Sequence, residues 1–121
     1  MTMWKLSIPM TPPSANVLLR NHWAVRKRLI DEWHTAVWAL ANEVRLPPQN
    51  VVTVEATIYF RDKRKRDKQN YITSVDKLVL DGLVRCGILP DDDPEHVKSF
   101  AVGFEVDSQK PRTEITICNR S

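Results

Sequence analysis

Several large classes of protein are excluded by what this chain lacks. No run of eighteen apolar residues occurs, so no membrane-spanning helix and no membrane partner are expected. The start Met1-Thr2-Met3-Trp4-Lys5 has no apolar core leading to a small-residue cleavage site, which points to the cytosol. Cysteine is scarce: Cys86 falls in a helical pattern and Cys118 in an expected terminal strand, a pair that forms neither a disulfide framework nor a zinc site and predicts free thiols. The histidines His22, His34 and His96 are scattered without metal-ligand spacing and are assigned no role. Internal repeats, flexible linkers and low-complexity tracts are missing as well, which argues against a solenoid or a string of modules.

What is present suffices for one small domain spanning residues 1–121. A chain of 121 residues that is 42% hydrophobic can build one compact core and not two. The net charge of +3 and pI near 9.0 are only mildly basic, yet the charge is concentrated locally, which matters more for binding a polyanion.

Periodicity sets the expected elements. Trp4, Leu6 and Ile8 alternate with Lys5 and Ser7 as in a half-buried strand ended by Pro9, Pro12 and Pro13. From about Trp23 to Arg45, Leu29, Trp33, Ala36, Val37, Leu40, Ala41 and Val44 recur at helical spacing, and Pro47 and Pro48 end the pattern. Trp33 falls on the apolar stripe and reads as core, whereas Trp23, at the helix entrance, is open to stacking on bases. Val52, Val54, Ala56, Ile58 and Phe60 form the clearest strand. A second helix is expected from about Tyr71 to Cys86 with Gly87 as its C-terminal cap, then strands over Phe100–Val106 and Glu114–Cys118 around the Lys110-Pro111 turn. The resulting order β-α-β-α-β-β predicts an α+β fold, two helices packed on a roughly four-stranded mixed sheet.

The stretch from Arg61 to Asp93 carries the chemistry. Arg61, Lys63, Arg64, Lys65 and Arg66, broken only by Asp62, can neutralise several backbone phosphates with little sequence preference, and Arg20 with Arg26, Lys27 and Arg28 extends that surface. A run of like charge is usually only a solvated extension, but the length of this one favours a partner. Asp67 follows the clearest strand, and Asp91, Asp92 and Asp93 follow the second helix. A return of the chain can bring these carboxylates together to hold a divalent cation. Carboxylates crowded in a basic neighbourhood raise one another's pKa unless a cation compensates, although an Asp-rich loop before Pro94 also reads as an ordinary turn. Lys77 and Asp81 lie four apart, about 6 Å along a helix. Lys before Asp is the weaker order for an ion pair, which leaves Lys77 open to a role at a scissile phosphate. Together these groups point to metal-dependent chemistry on a phosphodiester.

In order and spacing, Arg66-Asp67-x-x-Asn70, Lys77-x-x-x-Asp81-x-Leu83, Gly87 and Asp91-Asp92, with the N-terminal Pro12-Pro13-Ser14-x-Asn16, resemble the RusA family of Holliday junction resolvases. The resemblance covers most of the chain. It implies a small homodimeric α+β endonuclease, bacterial or from a phage-infected host, that uses Mg²⁺, with Mn²⁺ as a possible substitute, to make paired symmetric nicks in four-way DNA junctions. It further implies that Asp67, Lys77 and Asp92 are the catalytic residues, that Asp67 and Asp92, with Asp91 the neighbouring alternative, bind metal, and that Asn70 and Asp81 support the site. Two departures stand out. Gln69 occupies the place of the family's second aspartate, and Asn70 to Lys77 is longer by about one helical turn. Gln69 can still offer a carbonyl, and Asp76 or Asp81 can turn inward, but fewer charges mean weaker Mg²⁺ binding. A non-catalytic junction-binding protein and a nuclease for other branched DNA are the alternatives.

Overall fold

Alternation in the sequence becomes a two-sided sheet whose apolar face is covered by helices. In the computed structural model, which describes residues 1–119, the elements are β1 (Met3–Ile8), α1 (Ala15–Arg20), α2 (Trp23–Glu43), β2 (Val52–Phe60), α3 (Lys68–Val75), a π-helical turn (Asp76–Leu80), α4 (Asp81–Arg85), β3 (Val97–Val106) and β4 (Arg112–Asn119). The last two residues of the expected 1–121 domain lie outside the described residues. The fold is a single small α+β domain, and among the described residues no helix is long and apolar enough to cross a membrane.

The sheet is mixed, in the order β1-β4-β2-β3. β4 runs antiparallel to both β1 and β2, whereas β2 and β3 are parallel, with Val54 beside Phe100 and Phe60 beside Val106. A parallel pair needs a crossover, and here α3, the π turn and α4 supply it. Leu6 and Ile8 of β1, Val52, Val54, Ala56, Ile58 and Phe60 of β2, and Ile115 and Ile117 of β4 are all buried, as strand alternation requires. Trp33, Val37 and Ala41 bring α2 onto this core, joined by Val75, Leu78, Val79 and Leu83 from the crossover. Trp33 is therefore core, while Trp23 is 64% exposed.

Three details differ from the expected elements. The short helix α1 was not expected; Ser14 caps it by accepting from the Val17 N–H. The strand expected from Phe100 begins at Val97, and the second helix starts at Lys68 and is interrupted by the π turn. Gly87 ends that segment with φ +83°, a left-handed conformation that glycine adopts without strain. Both cysteines are free.

Candidate metal centre

A regular α-helix turns once every 3.6 residues, so side chains five apart point about 140° away from each other. Asp76 and Asp81 escape that rule because the chain between them forms a π turn, in which the Asp81 N–H bonds to the Asp76 carbonyl, five residues back. Residues five apart then stack on one face. Asp92 arrives from the loop after α4, and one ligand atom from each of Asp76, Asp81 and Asp92 lies within 4.8 Å of the others.

The electrostatics follow from that crowding. Burial, then the charges of Asp92 and Asp81, raise the Asp76 carboxyl to about 6, and a hydrogen bond with Asp92 adds to the shift. Asp81 is raised by burial and then by Asp92. The Lys77 ammonium opposes the shift at both residues, so it stands beside the cluster, as the exposed residue next to Asp76. Three half-buried carboxylates, of which Asp76 and Asp81 are pushed toward protonation, form an oxygen donor set short of positive charge, and a hard divalent cation fits it.

The residues singled out from the sequence divide between this cluster and its surroundings. Asp92 is in the cluster. The neighbouring Asp91 is exposed and its carboxylate accepts from the Asp92 N–H at 2.7 Å instead. Asp93 accepts from the Glu95 and His96 N–H groups, as the turn reading of the acidic loop expects, while Asp92 stands among carboxylates that could hold a metal ion. Asp93, Glu95 and His96 form a second group of convergent ligand atoms, but Asp93 Oδ1 is already engaged in that turn and His96 Nδ1 lies 2.8 Å from the Asn50 carbonyl. Asp67 also lies outside the cluster: it caps α3, its carboxylate accepting from the Gln69 N–H at 3.0 Å. Gln69, by contrast, lines a cavity of about 300 Å³ together with Asp76, Asp92, Thr73 and Phe100.

The basic run is not uniform. Arg61, Lys63 and Lys65 are exposed, whereas Arg66 folds back: its side chain is 14% exposed, pairs with Asp62 at 2.9 Å and lies 3.8 Å over the Phe60 ring. Phe60, Tyr71 and Phe104 form a triangle of edge-to-face contacts beneath it. Arg64, Lys65, Arg66, Asp67, Asn70, Tyr71 and Ser14 line a second cavity of about 290 Å³, and Ser14 also borders the hollow lined by Arg20. Asn70 and Arg20 thus line neighbouring hollows that meet at Ser14. Lys27 is held by Asp31 at 2.7 Å, and Arg26 donates to the Leu19 carbonyl.

One neighbour of the site was not visible in the sequence. His34 of α2 places Nε2 3.2 Å from the Lys77 carbonyl, a contact between residues far apart in the chain. No family model matches the chain, and no curated protein matches it.

Proposed function

We propose that this protein is a RusA-like, Mg²⁺-dependent endonuclease that resolves four-way DNA junctions by paired nicks. The observation that carries the reading is the convergence of Asp76, Asp81 and Asp92, with Lys77 alongside, in a chain that also carries an exposed basic run before α3. Gln69 lends support, because the position of the family's second aspartate lines the same cavity as Asp76 and Asp92. Asp76, absent from the family pattern as read from the sequence, then replaces the lost carboxylate.

In this reading Asp76, Asp81 and Asp92 hold the ion, and Gln69 offers a neutral oxygen. Bound Mg²⁺ would supply an acidified water and polarise the scissile phosphate. The Lys77 ammonium offsets charge developing on the phosphate or the leaving oxygen. Arg61, Lys63 and Lys65 hold the flanking backbone and orient the duplex arm without reading its sequence. Cutting a junction of approximate two-fold symmetry twice calls for an isologous homodimer, which light scattering would reveal.

The test is cleavage of a labelled four-way junction and a linear duplex with Mg²⁺, Mn²⁺ or EDTA. Metal-dependent paired nicks confined to the junction, and lost in Asp76→Asn, are the expected result. Asp67→Asn belongs beside it: asparagine can still cap α3, so loss of nicking in a folded variant would add Asp67 to the metal set. The second reading, a junction-binding protein without nuclease activity, is favoured by Gln69 and by the engagement of Asp67 as a cap. It predicts binding with no nicks under any metal.

A further inference from the structure

We infer that His34 is a positioning residue that holds the π turn in the form that brings Asp76 and Asp81 together; the inference rests on the reading of Asp76, Asp81 and Asp92 as a metal site. His34 Nδ1 faces the Arg85 guanidinium, its NH1 nitrogen 3.4 Å away, and a guanidinium can only donate. Nδ1 therefore accepts, the ring proton sits on Nε2, and Nε2 donates to the Lys77 carbonyl 3.2 Å away. Asp31, one turn before His34 on α2, lies 4.0 Å from Arg85 and steadies it.

The contact is made where it has leverage. Lys77 lies inside the π turn, between the two aspartates whose alignment depends on that turn. π turns are rare, and the competing arrangement is ordinary α-helix, in which Asp81 swings away from Asp76. A donor anchored on α2 fixes the carbonyl of the intervening residue. Close approach of the two helices is required, and residue 82 is glycine: a Cβ there would stand 3.1 Å from His34 Cδ2 and 3.5 Å from Val37 Cβ.

One hydrogen bond of this kind shifts an equilibrium by about five- to tenfold. The experiment measures Mn²⁺ binding, from the electron paramagnetic resonance signal of the free ion, and amide hydrogen exchange at Asp81 in the wild type, His34→Leu, His34→Gln and Asp76→Asn. Leucine fills the space without a donor, whereas glutamine retains an N–H within reach of the Lys77 carbonyl. His34→Leu is expected to weaken Mn²⁺ binding about five- to tenfold and to speed Asp81 exchange to a similar extent, with His34→Gln restoring both to within about threefold of wild type. Unchanged binding in His34→Leu, with binding lost in Asp76→Asn, overturns the role of His34 and leaves the metal site standing. Glutamine no better than leucine overturns it too. Wild type and Asp76→Asn binding Mn²⁺ equally would sink the carboxylate reading and this inference with it. If the leucine variant does not fold, the glutamine variant decides, and affinity more than tenfold below wild type counts against His34.

Discussion

Replacing Asp76 with asparagine should make the metal-free protein more stable at neutral pH while destroying metal binding. The Asp76 carboxyl is raised from 3.8 to about 6, chiefly by burial and then by the charges of Asp92 and Asp81. A rise of that size corresponds to about 3 kcal/mol at 1.36 kcal/mol per pH unit. Asp76 keeps part of its surface in water, so screening reduces the usable figure to about 1–2 kcal/mol. The sign follows from linkage: for an acid with a raised folded-state pKa, the favourable contribution is complete below pH 3.8 and is lost as pH climbs through about 6. Asparagine imitates the protonated carboxyl at every pH. At pH 8 in EDTA, Asp76→Asn should therefore melt about 4–8 °C above wild type by circular dichroism, and the gap should shrink steadily between pH 6 and pH 4. Saturating Mg²⁺ should raise the wild-type midpoint and leave the variant where it was. Equal midpoints at pH 8, or a variant less stable at every pH, would refute the claim that these carboxylates strain one another.

Other outcomes follow from the same geometry. Lys77→Met should lower junction nicking by about 100-fold or more with junction affinity nearly unchanged in a gel-shift assay, and unaltered nicking removes Lys77 from the chemistry. Gln69→Asp, adding a carboxylate to the cavity shared with Asp76 and Asp92, should tighten Mg²⁺ binding by about tenfold in calorimetry. Removing the exposed Arg61, Lys63 or Lys65 should weaken DNA binding and flatten its salt dependence, by about 0.9 in the log–log slope per lost duplex contact. Arg66→Ala should act differently. It gives up an ion pair and the contact over Phe60, costing about 1–2 kcal/mol of stability in urea titration with a smaller effect on the salt slope.

Strand alternation and the apolar stripe of α2 were legible in the sequence because each depends on a local period, and burial follows that period residue by residue from Val52 to Phe60. α1 was not legible, since six residues after two prolines carry too short a pattern. The strand order depends on the crossover and has no local signature. The acidic loop put forward Asp91, Asp92 and Asp93 together and only the family resemblance favoured Asp92; in the structure Asp92 joins Asp76 and Asp81, while the Asp91 carboxylate takes the Asp92 N–H. Asp76 is the instructive case. Read at 3.6 residues per turn it points away from Asp81, and only a change in helical pitch reverses that. The pitch in turn is tied to a histidine on another helix and a glycine that lets the helices touch, so the information that assembles this site is spread across tertiary contacts. The pattern Asp76-x-x-x-x-Asp81 followed by Gly82 can be found in a sequence, but its meaning appears only once α2 is in place.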